Sequence, residues 1–379
     1  MKKIQMVDLV SQYERVQEEI DKAVIDVIRS SAYINGPEVK DFQKELEDYL
    51  DVKHVIPCAN GTDALQIAMM AMDLKPGDEV ITSDFTYVAT AEVIALLQLT
   101  PVLVDVDPDT FNIDVDAVKN AITPKTKAIV PVHLFGQCSQ MEELLDLASK
   151  HNLHVIEDTA QAIGATYSFK SGKEQRAGTI GDIGCTSFFP SKNLGCFGDG
   201  GAIFTNNDEI AEKLRCVANH GQTRRYYHDY VGVNSRLDSI QAAILRIKLR
   251  HLDEYNKRRN ETASFYDDAF KDVPELTTPK RFEQSTHVFH QYTLKLNGLD
   301  REKMQAYLMD HGVPAMIYYP VPLHLQKAYR DSRYNAGDFP VTEDLCERVV
   351  SLPMQTELDQ EQLNHITETV KSFIKQQRS

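Results

Sequence analysis

Between residues 54 and 160 the sequence alternates short runs of β-branched residues with longer stretches of helical periodicity. Five runs have strand character: HVIPCA, DEVITSD, TPVLVDVD, AIVPVHLFG and LHVIEDTA. Helical stretches such as DALQIAMMAMDL, ATAEVIALLQL and MEELLDLASKHN separate several of them. This alternation is typical of a largely parallel sheet covered by helices, so it predicts an α/β fold. Ligands of such sheets bind at the carboxyl ends of the strands, where we look for candidate residues.

The character of the sequence changes after this alternating part, which predicts two domains. An amphipathic helix over 14–30 and a second helix opened by Pro37 precede the alternation, and a long helical pattern covers 236–270. HQYTLKLNG, REKMQAYLMDHG and the helix DQEQLNHITETVKSFIKQQ then indicate a smaller α+β unit. We therefore predict a large α/β domain over 1–250 and a small α+β domain over 251–379.

The composition excludes several classes of function. The 379 residues include 41 Lys and Arg against 56 Asp and Glu, a formal net charge of -15, which argues against broad nucleic-acid or anionic-membrane binding but not against a local basic pocket. Six scattered cysteines without a CxxC pair suit a reducing cytoplasm better than secretion. The sequence contains no run of eighteen apolar residues, no typical signal peptide and no HExxH motif, so neither a membrane span, secretion nor a metal site is predicted.

Polar and aromatic residues follow the first two predicted strands. In NGTDAL, Gly61 and Thr62 open a helix, where free N–H groups and the threonine hydroxyl suit an anion such as a phosphate. The alternative is simple capping of this helix by Thr62 or Asp63. In FTYVATAE, Tyr87 is either a platform for a flat ligand or a residue of the core.

Charged residues follow two later strands. LHVIEDTAQAIGA places Glu157 and Asp158 at the end of an apolar run, with Gln161 just beyond. A carboxylate at the buried end of a strand is costly unless a positive group meets it, and either a protonated ring nitrogen or a structural arginine would serve. CTSFFPSKNLGCFGDGGAIFTN sets Ser187 and Lys192 between an apolar run and a cluster of glycines. The alternative for Lys192 is a tight hairpin with the amine in water.

In chain order, a helix-end phosphate site, an aromatic platform, a buried aspartate and a loop lysine are the parts of a pyridoxal 5′-phosphate (PLP) site. The lysine of such a site forms a Schiff base with the cofactor, and the aspartate keeps the pyridine nitrogen protonated so that the ring acts as an electron sink. Nucleotide-binding rivals lack their fingerprints, because no Walker A motif occurs and no G-x-G-x-x-G follows the opening strand. The residues therefore predict a PLP enzyme.

Five motifs together carry a resemblance to a known family over nearly the whole chain. They are NGTDAL, FTYVATAE, EDTAQAIGA, SFFPSKNLGCFGDGGAI and VGVNSRLDSIQAAIL, and they resemble those of DegT/DnrJ/EryC1/StrS sugar aminotransferases. The resemblance implies a PLP-dependent aminotransferase of the type I fold. It implies a large domain with a mostly parallel mixed sheet between helices, followed by a smaller C-terminal α+β domain.

The same resemblance implies a role for each site residue. Lys192 matches the Schiff-base lysine and places the chain with the transaminases, since dehydrases of the family carry His there. Asp158 matches the partner of the pyridinium nitrogen, Tyr87 the residue stacked on the ring, and Gln161 the contact of the phenolic oxygen. The matching phosphate ligands are Gly61, Thr62, Ser187 and, from a neighbouring subunit, Asn234. The chain is therefore expected to form an obligate homodimer with shared active sites.

A closer resemblance, carried by TYVATAE and NHGQTRRYYHDYVGVNSRLD among others, is to the branch that aminates UDP-2-acetamido-2-deoxy-3-keto-glucuronate. This branch uses L-glutamate and serves bacterial surface polysaccharide such as the O-antigen of lipopolysaccharide. Arg236 would face the sugar carboxylate through a bidentate guanidinium, and its alternative is a salt bridge at a helix start. Tyr318 and Tyr319 stand where such enzymes often read His-Tyr, so a tyrosine hydroxyl replaces a histidine in the sugar pocket.

Other interpretations stay open at this stage. The same chemistry could act on a dTDP-3- or 4-keto-6-deoxyhexose, or the chain could be a non-catalytic PLP-binding regulatory protein. His133 in VPVHLFGQ is interpreted as a strand-end residue that packs near the cofactor rather than as a general base. Arg224 and Arg225, beside Tyr226 and Tyr227, form a loop that either holds a nucleotide diphosphate or lies in solvent.

Overall fold

The computed structural model describes residues 2–378. Residue 1, the start of the first predicted domain, and residue 379, the end of the second, lie outside this range. The helices are α1 (Leu9–Glu14), α2 (Gln17–Ser30), α3 (Pro37–Leu50), α4 (Gly61–Ala71), α5 (Ala89–Leu96), α6 (Val115–Ala121), α7 (Met141–His151), α8 (Asp208–Ala218), α9 (Ser239–Leu249), α10 (Leu252–Phe270), α11 (Arg301–Asp310), α12 (Pro340–Arg348) and α13 (Gln360–Gln377). The strands are β1 (His54–Cys58), β2 (Glu79–Ser83), β3 (Thr100–Val104), β4 (Thr126–Val130), β5 (His154–Asp158), β6 (Thr166–Ser168), β7 (Glu174–Arg176), β8 (Ile183–Ser187), β9 (Gly201–Thr205), β10 (Gln222–Arg224), β11 (Tyr227–His228), β12 (Leu276–Thr277), β13 (Tyr292–Leu296) and β14 (Val349–Leu352).

Seven strands form one mixed sheet in the order β1-β9-β8-β5-β4-β2-β3. Strands β2, β3, β4, β5 and β8 run parallel to their neighbours in this set, which confirms the predicted fold class. Strand β9 is antiparallel to both β1 and β8. A mixed sheet was predicted, but not which strand reverses. The reversal follows from the connection between β8 and β9, which contains no helix and therefore returns the chain beside β8 in the opposite direction.

Side chains along the central strands alternate between two apolar layers. Ala128, Val130 and Ile156 pack with residues of α4 and α5 on one face of the sheet. Ile129 and Val155 pack with residues of α6 and α7 on the other face. Because helices cover both faces, ligands can approach this sheet only at its ends.

The helical pattern over 236–270 forms two helices rather than one, since α9 ends at Leu249 and α10 begins at Leu252. Both of these leucines belong to the apolar cluster between α3 and the large sheet. Ala263 and Phe270, farther along α10, pack instead with the three-stranded antiparallel sheet β12-β13-β14 and with α11 and α13. Helix α10 thus contributes residues to two hydrophobic cores. The division into two domains at residue 250 stays a prediction.

Three further facts concern the described residues as a whole. No helix within residues 2–378 combines the length and apolarity that a membrane crossing requires. Within the same range, no group of three His, Cys, Asp or Glu side chains is arranged to hold a metal ion. All six cysteines are free thiols.

Lys248 of α9 is a buried cation whose Nζ has no hydrogen-bond partner in the described part of the chain. The amine lies 5.4 Å from the centroid of the Phe197 ring. Burial lowers the pKa of Lys248 from 10.5 to about 8. Between these two values the unfolded chain binds more protons than the folded one, so this residue makes stability rise with pH across that window.

We expect Lys248→Met, which keeps most of the stem and removes the charge, to raise the free energy of unfolding by about 1–2 kcal/mol at neutral pH. The gain should shrink as the pH rises from about 8 towards 10.5, and urea unfolding at several pH values measures it. The control is Lys44→Met, at an exposed lysine of α3, which should leave the free energy of unfolding almost unchanged. A Lys248→Met protein less stable than wild type would contradict this prediction.

Candidate active site

A cavity of about 710 Å³ opens at the carboxyl end of the large sheet. Residues that follow β1, β2, β5 and β8 bound it, together with residues before β13 and after α11. Nine of the residues singled out in the sequence line it: Gly61, Thr62, Tyr87, Asp158, Gln161, Ser187, Lys192, Tyr318 and Tyr319. The fold therefore gathers in one place residues that lie far apart along the chain.

The N-terminus of α4 brings free backbone donors to this cavity. Asn60 caps the helix, since its Oδ1 accepts the Asp63 N–H at 2.8 Å, so the alternative of capping by Thr62 or Asp63 is wrong. A Cβ on Gly61 would stand 2.7 Å from the Cβ of Ser187, so only glycine lets the helix approach β8 this closely. The first N–H groups of a helix have no partner within it, and here they lie beside the Thr62 and Ser187 hydroxyls. Such an arrangement binds anions.

Asp158 ends β5 at the cavity wall and is 6% exposed. Its carboxylate accepts hydrogen bonds from the Thr90 hydroxyl at 2.8 Å and from the Ala160 N–H at 3.1 Å. No arginine of the described chain hydrogen-bonds to it, so the alternative of a structural arginine partner is wrong within residues 2–378. A buried carboxylate with two neutral donors and a cavity in front of it favours a cationic ligand at that place.

Lys192 lies in the loop after β8. A hydrogen bond of 2.8 Å from the Lys192 N–H to the Phe189 carbonyl closes this loop. Gly195 allows the loop to fold back, because a Cβ there would stand 2.3 Å from the Pro190 carbonyl oxygen. The side chain lines the cavity, so the alternative of a lysine directed into water is wrong. Burial lowers the pKa of its amine from 10.5 to about 8, against the charge of Asp158, which raises it. An amine with such a pKa both accepts and donates protons near neutral pH.

The backbone of Phe135 orients the side chain of Gln161. The Gln161 Oε1 accepts the Phe135 N–H at 2.8 Å, which leaves the amide NH₂ to donate to the Tyr319 hydroxyl at 3.2 Å. Phe135 has a φ of 58°, a left-handed conformation that is rare for a bulky residue and marks strain held by its surroundings. The result is an N–H donor fixed on the cavity wall near Asp158.

Three tyrosines form an aromatic wall. Tyr87 is 59% exposed and lines the cavity, so the alternative that it belongs to the core is wrong. Its ring lies 6.4 Å from that of Tyr319 at an interplanar angle of 43°. Burial raises the pKa of both Tyr318 and Tyr319, so their hydroxyls stay protonated and can donate hydrogen bonds.

Two carboxylates at neighbouring strand ends anchor the segment that follows Tyr319. Asp84, after β2, accepts the backbone N–H of His324 at 2.8 Å and the Nδ1–H of its ring at 2.6 Å, and both side chains are 0% exposed. Asp105, after β3, accepts the N–H groups of Val341 and Thr342 at 3.0 and 2.8 Å. Nothing in the sequence indicated the first pair, whose members are 240 positions apart.

Glu157 is not among the residues that line the cavity, and its hydrogen bonds give it a structural role. Its carboxylate accepts the Nε2–H of His133 at 2.8 Å and three N–H groups of the turn over 178–181. The Nδ1 of His133 accepts the Ser139 N–H at 3.1 Å, which fixes the tautomer. His133 is fully buried, and this pairing suits the structural interpretation rather than that of a general base.

Two predicted residues lie outside the cavity of their own chain. Asn234 is exposed and pairs only with Asn219 through an isolated β-bridge. Arg236 is half-buried and forms no ion pair within residues 2–378, so the alternative of a salt bridge at the helix start is wrong for this part of the chain. Ser235, between them, accepts the Ala59 N–H at 3.0 Å, which holds this segment beside the chain that leads into α4.

Comparison with known proteins identifies the family. A profile of the DegT/DnrJ/EryC1/StrS aminotransferase family matches residues 14–371. The chain belongs to this family. It is 48% identical to the UDP-2-acetamido-2-deoxy-3-oxo-D-glucuronate aminotransferase of Pseudomonas aeruginosa over 356 residues, which cover 94% of this chain and 96% of that protein.

Two other relatives are similar over almost their whole length. A pleiotropic regulatory protein of Geobacillus stearothermophilus is 46% identical over 98% of this chain and 98% of its own. The crystal structure of S. venezuelae DesV in complex with a ketimine intermediate matches with a TM-score of 0.94 at 37% identity, covering 98% of this chain and 99% of that one. The predicted fold and the predicted enzyme class, an aminotransferase, are thereby confirmed.

Aminotransferases of this family depend on PLP, and solved structures similar to this chain include PLP and PMP forms. The residues of the cavity fit this cofactor. The amino end of α4 suits the phosphate, Asp158 suits a protonated ring nitrogen, and Lys192 is the one lysine among the residues that line the cavity. Thr86 adds a buried hydroxyl without a partner in the described chain, on the same cavity wall.

Proposed function

We propose that this protein transfers the amino group of L-glutamate to UDP-2-acetamido-2-deoxy-3-keto-glucuronate and yields the 3-amino sugar for bacterial surface polysaccharide such as O-antigen. The observation that carries the chemistry is the presence of Lys192 and Asp158 on one cavity, where the aspartate forms no ion pair with any group of residues 2–378. The choice of sugar rests on the similarity to the Pseudomonas aeruginosa aminotransferase. The main alternative is the same transfer to a dTDP-3- or 4-keto-6-deoxyhexose.

Seven residues of the cavity have a role in this proposal. Bound PLP supplies the electron sink that transamination requires. Asp158 holds a proton at the ring nitrogen, and Lys192 Nζ takes up and returns the proton at the α-carbon of the amino donor, a role that suits its pKa of about 8. Gly61, Thr62 and Ser187 would hold the phosphate, Tyr87 would stack on the ring, and Gln161 would donate to the phenolic oxygen.

The charge of the cavity supports a site shared between two subunits. Among its lining residues Lys192 is the one lysine and no arginine is present, whereas Asp158 and Asp199 are acidic. His290 also lines the cavity, but burial lowers its pKa well below the ordinary value. Glutamate, a uronate and a nucleotide diphosphate are all anionic, so their recognition requires further cations. Arg224 and Arg236 lie on the segment 222–236, outside the cavity of their own chain. We propose that a second copy brings this segment, with Asn234, to the cavity.

The surface of this segment is consistent with a homodimer. Tyr226, Tyr227 and Val231 are 76%, 55% and 87% exposed, and the guanidinium of Arg224 lies 3.6 Å from the centroid of the Tyr227 ring. Exposed aromatic and arginine residues of this kind are enriched at protein interfaces. The six free cysteines favour the cytoplasm as the compartment in which the protein works.

The sugar can be tested by a matched pair of substrates. With the pyridoxamine form of the protein, we expect the 3-keto-glucuronate to react faster than the 3-keto-N-acetylglucosamine, which differs only by CH₂OH in place of the carboxylate. Arg236→Gln should lower kcat/KM for the uronate about 100-fold and change that of the neutral sugar little, with Arg236→Lys intermediate. Equal losses on both sugars would contradict a carboxylate contact, and faster conversion of dTDP-keto sugars would favour the alternative.

The same assay separates an enzyme from a regulatory protein. Adding glutamate to the PLP form should bleach the visible absorbance of the bound cofactor and raise that of the pyridoxamine form. A protein that only binds the cofactor would leave the spectrum unchanged.

Shared sites can be tested by mixing two inactive variants. Lys192→Ala should abolish turnover, and Asn234→Ala should lose cofactor on gel filtration. When the two proteins are unfolded, mixed in equal amounts and refolded with PLP, about a quarter of the sites should be intact, because half the dimers are mixed and each has one complete site. Turnover near zero in the mixture, with mixed dimers present by native mass spectrometry, would place both residues in one subunit's site.

A further inference from the structure

His324 is a fully buried imidazole whose two ring nitrogens each lie close to a carboxylate. Its Nδ1 is 2.6 Å from Oδ2 of Asp84, and its Nε2 is 3.4 Å from Oε1 of Glu343. The side chains of His324 and Asp84 are 0% exposed, and that of Glu343 is 25% exposed. The Nε2 forms no hydrogen bond within residues 2–378, so the charge of Glu343 decides what this nitrogen meets.

His133 provides a contrast in the same chain. Its Nε2 donates to the Glu157 carboxylate at 2.8 Å, whereas its Nδ1 accepts the Ser139 N–H at 3.1 Å and therefore carries no proton. No N–H group of the described chain donates to either nitrogen of His324. A lone pair on its Nε2 would instead stand 3.4 Å from a negative charge, which is unfavourable. A proton on each nitrogen makes both contacts attractive.

The carboxylates around His324 have no other cation. Burial raises the pKa of Asp84 to about 6, against the effect of His324, which lowers it. Above about pH 6 Asp84 is therefore a buried anion, and such a group requires a positive partner. Asp105, at the end of the neighbouring strand, adds a further negative charge nearby. No lysine or arginine of residues 2–378 forms an ion pair with Asp84, Asp105 or Glu343.

The other titratable groups packed here bring no positive charge to this site. Cys346 of α12 and Tyr334 stay protonated and neutral, because burial raises the pKa of each. Arg301 pairs with the next residue of α11, and Arg333 pairs with an aspartate two residues before it. His324 is therefore the group that can supply the missing positive charge.

The pair of Asp84 and His324 connects the two sides of the aromatic wall. Asp84 stands three residues before Tyr87, and His324 stands five residues after Tyr319. The carbonyl of Asp84 also accepts the N–H of Leu323 at 3.3 Å. Since the rings of the two tyrosines lie 6.4 Å apart, the contact between Asp84 and His324 fixes how they face the cavity.

We propose that His324 is a positioning residue: as an imidazolium it links Asp84 to Glu343 and thereby holds the aromatic wall in place. When the imidazolium loses a proton, the contact with Glu343 changes from attraction to repulsion. The stability that this charge provides is present at lower pH and is lost as the pH rises, so the segment over 318–325 should then loosen. The proposal rests on the proposed function only where that function assigns the tyrosines to the sugar pocket.

The charge of His324 can be measured in the wild-type holoenzyme. ¹⁵N NMR of histidine-labelled protein in its pyridoxamine 5′-phosphate form distinguishes protonated from unprotonated ring nitrogens, and the signals lost in His324→Asn identify the residue. We expect both nitrogens of His324 to be protonated at about pH 7, whereas His133 in the same spectrum should be protonated at Nε2 alone. A neutral His324 at this pH would overturn the proposal.

Hydrogen exchange with mass spectrometry measures whether this charge holds the segment. The N–H groups of Leu323 and His324 donate to Asp84 and are therefore protected while the segment is in place. After correction for intrinsic exchange rates, the protection of peptides over 318–325 should fall at the pH at which NMR shows His324 losing a proton. Glu343→Gln should move both transitions down by about one pH unit.

The matched control is Glu347→Gln, at an exposed position of the same helix, which should move neither transition. Glu343 is partly exposed, so its glutamine variant tests the bridge without leaving Asp84 unpaired. Protection that does not follow the charge of His324, or equal shifts in the two glutamine variants, would overturn the proposal.

Turnover separates positioning from a purely structural role. At a pH between the transitions of the two proteins, Glu343→Gln should raise the KM for the keto sugar about fivefold and leave kcat nearly unchanged. An unchanged KM would overturn the proposal. The NMR and exchange measurements need no substrate, so a wrong sugar would leave their results intact and can be distinguished from a wrong role for His324.

Discussion

The burial of the Asp158 carboxylate, which forms no ion pair within residues 2–378, is the constraint on which the rest of the site depends. The residue ends a central strand, is 6% exposed, and receives hydrogen bonds only from a hydroxyl and a backbone N–H. Leaving a carboxylate in such a place is costly unless a positive group completes it, and the cost in proteins is several kcal/mol per ion. The fold therefore favours a cationic group beside Asp158, and a protonated pyridine ring is such a group. The loop that carries Lys192 and the amino end of α4 line the same cavity as Asp158.

Phe135 couples this strand-end machinery to the C-terminal part of the chain. Its N–H fixes the Gln161 amide, and its carbonyl accepts the N–H of His290. Phe135, in its left-handed conformation, therefore positions both the side chain of Gln161 and the backbone of His290. Both of these residues line the cavity. A strained conformation persists only where its surroundings impose it, and here the hydrogen bonds to Gln161 and to the backbone of His290 do so together.

The sequence was sufficient for the fold class of the large sheet, because runs of β-branched residues and helical periodicity are local signals that do not depend on tertiary contacts. It also located Asp158 and Lys192, since a charged residue after an apolar run is unusual enough to be noticed. The direction of β9 could not be predicted, because the glycine-rich connection before it is compatible with either a turn or a crossover. Nor could the pair of Asp84 and His324, since it is a contact between distant parts of the chain. The alternative cap of α4 was placed at Thr62 or Asp63, two or three residues too late, and Asn60 performs it.

The most direct test of this account measures the protonation of the cofactor ring itself. PLP labelled with ¹⁵N at the ring nitrogen is bound to the wild-type protein and to Asp158→Asn, and the nitrogen chemical shift is recorded from about pH 6 to pH 9. The account predicts a protonated ring nitrogen throughout in the wild type and an unprotonated one in the asparagine variant, which still binds the cofactor. A ring nitrogen that is equally protonated in both proteins would contradict it.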